Sequence, residues 1–257
     1  MPRRISGRDN PEFKRFLAVR ARKNRDLVLV EGPKLLEEAI RSNISLRVVA
    51  GDDRAASAVL PVKAPFIRFS PALMKSLSDV ETHQGLLALV ERPRFSLTWL
   101  AADDAFILIL NGLQDPGNVG TLFRTAEAAG VTGILLTRGC ADPMSAKALR
   151  ASAGSAFRVP HVTDLSVDEL LALLPPPIRL AAAVATPGAL SVFETSFTRP
   201  VAVALGAEGS GLDARLEANA SMRIRIPFAA EVESLNVAAA GAVILFEMAR
   251  QAGTLRR

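Results

Sequence analysis

Three stretches of the chain carry side chains whose types and spacing could do chemistry on a polar or ionic ligand. The first is Asn111-Gly112-Leu113-Gln114-Asp115-Pro116-Gly117-Asn118-Val119-Gly120, which runs into a helix-like segment bearing Arg124. The second is Gly206-Ala207-Glu208-Gly209-Ser210-Gly211, and the third couples Ile226-Pro227-Phe228 to Glu233-Ser234-Leu235-Asn236. Arg124 offers a planar fork that suits a phosphate, and Asn118 could cap the helix that follows it. Glu208 offers either a carboxylate base or an acceptor that orients Arg124 or Asn118. Glycines at 206, 209 and 211 let a backbone approach a ligand closely, though a glycine turn with no ligand is the plain alternative. Arg124 has a plain alternative too, an ion pair with Glu127 on a solvated helix face.

Each block has the same layout: an apolar strand-like run, a loop of small and polar residues, then a helix-like run. In open α/β sheets ligands sit in the crevice past the carboxyl ends of strands, so loops of this kind predict one shared pocket. The reading is a single nucleotide-cofactor and RNA site made of three loops. The glycine spacing is G-x-x-G-x-G and falls late in the chain, whereas a dinucleotide fold carries G-x-G-x-x-G at its first turn, with an acidic residue after it. A nicotinamide-dependent oxidoreductase on the same kind of sheet is therefore the weaker alternative.

The elements that must position these loops read as α/β. Continuous apolar runs at 106–110, 133–137, 158–162, 180–185, 201–205 and 223–228 suit strands of a parallel sheet covered on both faces. Helices are expected at Val119–Ala129, closed by Gly130, and at Ser145–Ala153, Val167–Leu174 and Leu235–Ala252. Upstream, strands at 27–30, 46–50, 65–69 and 85–90 alternate with helices over Pro11–Arg25, Lys34–Ser42 and Pro71–Leu77, a small α/β unit of its own. Glu91-Arg92-Pro93-Arg94-Phe95-Ser96 reads as a linker, dividing the chain into domains 1–95 and 96–257.

Composition bounds the partners. With 49% apolar and 22% charged residues the chain is neither disordered nor membrane-spanning in character, and Val237 to Phe246 is too short an apolar run to cross a bilayer. The formal charge is +5, yet Met1 to Arg25 alone holds nine cations against two anions, a local excess that suits a polyanion. A mitochondrial transit peptide or a solvated helix face are the alternatives there. No apolar signal core follows the first charges, which points to the cytosol. The single cysteine, Cys140, excludes an internal disulfide and a cysteine metal cluster, and suits a small buried hydrophobe better than a catalytic thiol. His83 and His161 have no partner at metal-ligand spacing, so no metal site is expected.

Taken together the blocks resemble the SpoU family of S-adenosylmethionine-dependent RNA ribose 2′-O-methyltransferases, of the knotted SPOUT class. Asn111 to Gly130, Ala204 to Leu212 and Ile226 to Ala240 match its three motifs, and Lys147 to Ser155 matches an intermediate segment. Val30-Glu31-Gly32 and His83-Gln84-Gly85 are similar to the ribosomal-protein-like RNA-binding domain that many members carry. Ala207 and Phe228 depart from the commoner Asn and Met. The resemblance implies Asn118, Arg124, Glu208, Ser234 and Asn236 as catalytic positions. It implies Leu205, Gly206, Ile226, Leu235 and Asn236 as contacts of S-adenosylmethionine. It further implies a trefoil knot, a homodimer with cofactor sites at the interface, and an RNA substrate. Ribosomal RNA is favoured, transfer RNA stays open, and an RNA-binding protein without catalysis is the rival reading.

Overall fold

Strand β6 (Phe106–Asn111) explains why the sheet closes around it: from Phe106 to Leu110 every side chain is fully buried, so both faces must be covered. The structure is a computed structural model describing residues 4–52, 64–78, 84–229 and 234–255. His83 and Glu233, singled out above, lie outside the described residues. Contacts divide the chain into two compact units, one of Met1–Arg94 with Met144–Phe157, the other of Phe95–Pro143 with Arg158–Arg257.

The first unit contains β1 (Arg4–Ile5), α1 (Pro11–Arg20), β2 (Leu27–Glu31), α2 (Pro33–Arg41), β3 (Leu46–Gly51), β4 (Phe66–Phe69), α3 (Pro71–Leu77) and β5 (Leu86–Glu91). Its sheet has the order β1-β4-β3-β5-β2, antiparallel where β5 meets β2 and β3. Phe13 and Phe16 of α1 set their rings edge-on against Phe69, with centroids 5.9 and 5.3 Å away. The helix expected to reach Arg25 stops at Arg20. Ala21 caps it, and Arg22 adopts a left-handed φ of 56° that a helix cannot continue through.

The second unit begins with a 3-10 turn at Thr98–Ala101 and continues through β6, α4 (Pro116–Ala129) and β7 (Gly133–Thr137). Helix α5 (Ala146–Ser152) packs beside β2 in the first unit, where Arg150 Nη1 stands 3.9 Å from Glu31 Oε2. The second unit resumes with β8 (His161–Leu165), α6 (Val167–Leu173), β9 (Arg179–Ala183), β10 (Leu190–Ser191), β11 (Val201–Gly206), α7 (Ala214–Ala218), β12 (Met222–Arg225) and α8 (Val237–Gln251). Among the described residues, all six pairings of its seven-stranded sheet, ordered β10-β12-β9-β11-β6-β7-β8, are parallel. The chain lays β6, β7 and β8 outward in one direction and later fills the other side with β9 to β12. The order therefore reverses between β6 and β11, where a ligand crevice is expected.

Three boundaries differ from the sequence expectation for physical reasons. Strand β8 starts at His161 because a 3-10 turn at Ser155–Phe157 and Pro160 occupy the preceding residues. Strand β12 ends at Arg225, before Pro227, which has no N–H for a ladder. Helix α8 starts at Val237 because Asn236 is its cap. The two-residue strands β1 and β10 carry no pattern long enough to read.

Gly133 faces the ring of Trp99, and a Cβ there would stand 2.3 Å from ring carbon Cε3. Trp99 is the only tryptophan and the chain has no tyrosine, so intrinsic emission reports this contact alone. Gly133→Ala is expected to cost about 1–3 kcal/mol of stability by overpacking and to shift Trp99 emission to the red. Thermal unfolding followed by fluorescence measures both; an unchanged midpoint and spectrum would contradict the packing described.

Candidate functional site

The loop after β6 is held by its neighbour on the sheet. Thr137, at the end of β7 and 3% exposed, accepts at Oγ1 from Asn111 Nδ2 (3.1 Å) and from the Gly112 N–H (3.0 Å). Cys140 donates its thiol to the Leu110 carbonyl and accepts from the Leu113 N–H, at 3.2 and 3.3 Å. Burial pushes this thiol up from its ordinary pKa, so it is a neutral structural group, not an activated nucleophile. Asp115 then caps α4, accepting from the Asn118 N–H at 3.3 Å. The expected cap, Asn118, is instead inside the first turn. Pro116 suits the first helical position because it lacks an N–H, which puts the cap at residue 115 and frees the Asn118 side chain.

The glycine loop after β11 closes on itself. The Gly211 N–H donates to the Ala207 carbonyl at 2.8 Å, and Gly211 takes a φ of +68°. Gly206 has no room for a side chain, since a Cβ would stand 2.2 Å from the Gly211 carbonyl carbon. Its glycine is thus required by the turn itself, whatever ligand the turn meets. The tight turn projects Glu208 outward.

Glu208 is where the three blocks converge. Its Oε1 accepts from Asn118 Nδ2 (3.2 Å), Asn236 Nδ2 (2.6 Å) and the Val237 N–H (3.2 Å). Asn236 Nδ2 also donates to Asn118 Oδ1 at 3.1 Å. The orientation of both amides follows from donors that cannot be reversed. Asn236 Oδ1 accepts from the backbone N–H groups of Ala238 and Ala239, so its Nδ2 must face Glu208. The open N–H groups of the first three residues of α8, Val237, Ala238 and Ala239, are thus all satisfied, and the Ala240 N–H begins the regular helical bonding to the Asn236 carbonyl.

A cleft of about 380 Å³ opens beside this cluster of side chains, past the ends of β6 and β11; Gly112, Gln114, Asp115, Asn118, Glu208 and Ser210 are among its lining. Leu205 and Gly206 end β11, with Leu205 buried, while Ile226 follows β12 and Leu235 is exposed ahead of α8. Arg124 and Ser234 are exposed, and among the described residues neither makes a hydrogen bond or ion pair with another side chain. Glu127 is not the partner of Arg124: Arg158 holds it through two bonds of 2.5 and 3.0 Å. His161 is structural, with Nδ1 2.9 Å from the Val159 carbonyl and its ring against Phe95 and Phe123. Among the described residues no three His, Cys, Asp or Glu side chains could hold a metal ion, and no helix is long and apolar enough to cross a membrane.

The residues that position the site and that the sequence reading assigned no role are Asn111, Thr137 and Asp213. The Asp213 N–H donates to Asn111 Oδ1 at 2.8 Å. For Asn111 and Thr137 the only sequence signal is a polar residue ending a buried apolar strand; Asp213 lies beyond the glycine loop, as the cap of α7.

A parallel α/β unit with a polar cleft at its switch point defines a class of ligand-binding enzyme domains, and comparison with known proteins narrows it. Residues 105–246 match the model of the SpoU rRNA Methylase family, and residues 4–88 match an MRM3-like substrate binding domain. The chain belongs to the SpoU family. It is 30% identical to the Bacillus subtilis 23S rRNA (guanosine(2553)-2′-O)-methyltransferase RlmP, over 92% of this chain and 94% of that one. An uncharacterized tRNA/rRNA methyltransferase of Synechocystis is 44% identical over 144 residues, 56% of this chain and 53% of that one. Among solved structures, the SpoU methyltransferase AviRb from Streptomyces viridochromogenes, in complex with AdoMet, superposes with a TM-score of 0.86 at 27% identity. That match covers 96% of this chain and all of that one.

Asn236 holds a helix end and an amide network at once, and two substitutions separate these roles. Asn236→Ala is expected to lose about 0.5–2 kcal/mol, as for a lost cap. Asn236→Asp keeps a capping oxygen but sets a second carboxylate against Glu208. Two facing carboxylates repel while both are ionised, so the variant is expected to be less stable than wild type at pH 7 and to regain stability as pH falls. Urea unfolding across pH measures this; a deficit in N236D that does not change with pH would contradict the contact.

Proposed function

We propose that this chain transfers a methyl group from S-adenosylmethionine to a ribose 2′-hydroxyl of structured RNA, with ribosomal RNA as its substrate. The observation that carries the reading is the meeting of Asn118, Glu208 and Asn236, one from each block, beside a cleft at the sheet's switch point. The relative that aligns over 94% of its own length acts on 23S rRNA, which favours ribosomal over transfer RNA.

The cleft fits the cofactor chemically: it offers a carboxylate to a cationic sulfonium, amide groups to polar ends, and bare backbone at glycines. Leu205, Gly206, Ile226, Leu235 and Asn236, none of them in the lining of this cleft, are the residues to which the family resemblance gives contact with the molecule. When bound, S-adenosylmethionine supplies an activated methyl group, so the enzyme mainly has to align it with the sugar oxygen and help the hydroxyl lose its proton. Glu208 Oε1 carries three donors, which supports a role in orienting Asn118 and Asn236, and its second oxygen, Oε2, is the group that would receive the hydroxyl proton. Arg124 takes the RNA phosphate and stabilises the alkoxide as it develops, because a guanidinium keeps its proton and can act through charge and geometry. Ser234, beside Asn236, completes the polar set.

Three further features belong to the same reading. The last helix threads a trefoil knot, a reading supported by the packing of α8 against α4 and by the tie from Asn236 to Asn118. The enzyme is a homodimer. Exposed Arg124 on α4 and Phe246 on α8, the latter 41% exposed, support a second copy covering that side. The first unit binds RNA through the basic surface around α1, where Lys14, Arg15, Arg20, Arg22, Lys23 and Arg25 are exposed.

Transfer of tritiated methyl groups from the cofactor to ribosomal RNA tests the reading. Arg124→Lys keeps a point charge and loses the fork, so kcat is expected to fall on the order of 100-fold with cofactor affinity unchanged. Near-full turnover by this variant would contradict the assignment. RNA affinity is expected to fall steeply with salt, and removing cations of α1 should flatten that slope by about one unit per lost phosphate contact. Filter binding across a salt series reads it; a slope unaffected by these substitutions would remove α1 from the RNA surface.

A further inference from the structure

The bases of the two loops that carry Asn118 and Glu208 are bridged by one side chain that lies outside both the cleft lining and the amide network. Asn111 is the last residue of β6 and pairs in register with Gly206, the last residue of β11. From there its amide reaches both ways. Nδ2 donates to Thr137 Oγ1 at the end of β7 (3.1 Å), and Oδ1 accepts from the N–H of Asp213, just beyond the glycine loop (2.8 Å).

Each end of this bridge is itself anchored. Thr137 is buried, accepts a second bond from the Gly112 N–H and donates to the Arg138 carbonyl at 3.3 Å. Asp213 caps α7, accepting from the Arg215 N–H at 2.9 Å. Neither amide atom can swap, because a backbone N–H only donates and so fixes Oδ1 on Asp213. One carboxamide thus joins the ends of β7 and β6 to the far end of the glycine turn. The Asn118–Glu208 contact, at 3.2 Å, depends on where those loops stand.

We infer that Asn111, clamped by Thr137, is a positioning residue for the methyl-transfer site: it fixes the gap between the loop bearing Asn118 and the loop bearing Glu208. It touches neither substrate nor cofactor and acts through the two loops. The inference rests on the cleft being the cofactor and ribose site. The substitution that isolates it is Asn111→Ala, with Thr137→Val removing the clamp from the other side and Thr137→Ser as the conservative control that keeps the hydroxyl.

The experiment measures S-adenosylmethionine affinity by titration calorimetry, amide hydrogen exchange of the cofactor-free protein, kcat and KM on ribosomal RNA, and thermal midpoint. For Asn111→Ala and Thr137→Val, faster exchange is expected over 207–213, with cofactor affinity weakened on the order of 10-fold and kcat lowered on the order of 10- to 100-fold, as for a misplaced reacting pair. KM for RNA should hold, the two substitutions should be non-additive, and Thr137→Ser should behave as wild type. Wild-type affinity and exchange in Asn111→Ala overturn the positioning role, as does a loss that follows the thermal midpoint or that Thr137→Ser shares. A wild-type protein that binds no S-adenosylmethionine overturns the reading of the cleft itself, which is a separate failure.

Discussion

One carboxylate oxygen organises the catalytic half of this protein. Glu208 Oε1 gathers an amide from α4, an amide from the segment before α8 and the first N–H of α8. A carboxylate at a helix N-terminus is favoured by the aligned peptide dipoles, so the same contact that assembles the site also completes the end of the last helix. Fold and site are therefore coupled. The glycine turn exists to put Glu208 there, and the turn is possible because residue 206 has no side chain to collide with Gly211.

This coupling shows why the sheet must be parallel and buried at its centre. Parallel strands present all their carboxyl ends on one side, and the reversal of order between β6 and β11 opens a crevice there without any further device. Full burial of β6 keeps those strand ends rigid, and rigidity at the loop bases is what holds a contact of about 3 Å between residues ninety positions apart. Membership of the SpoU family agrees with this arrangement, and the family model spans the residues that make it.

Much of the fold was legible because its signals are local. Continuous apolar runs gave the strands, and Gly130 takes the left-handed conformation that ends α4. What was not legible lacked a local signal. Arg22 closes α1 in a left-handed conformation without being glycine, so nothing in its type announces the stop. The cap of α4 turned on Pro116, whose missing N–H favours Asp115 over Asn118. The roles of Asn111, Thr137 and Asp213 are invisible in one dimension, since they depend on which strand ends become neighbours. The chemically loaded residues split similarly. Asn118, Glu208 and Asn236 meet through hydrogen bonds although Glu208 and Asn236 are exposed, while among the described residues Arg124 and Ser234, exposed too, make no bond to another side chain.

The position of the transferred methyl group on RNA tests the account most directly. A methyl on the ribose 2′-oxygen removes the nucleophile that alkali uses to cleave the neighbouring phosphodiester. After reaction with tritiated cofactor and ribosomal RNA, alkaline hydrolysis is expected to leave the label in an alkali-resistant dinucleotide. Label released with a mononucleotide, as base methylation would give, or no label on RNA at all, would contradict it.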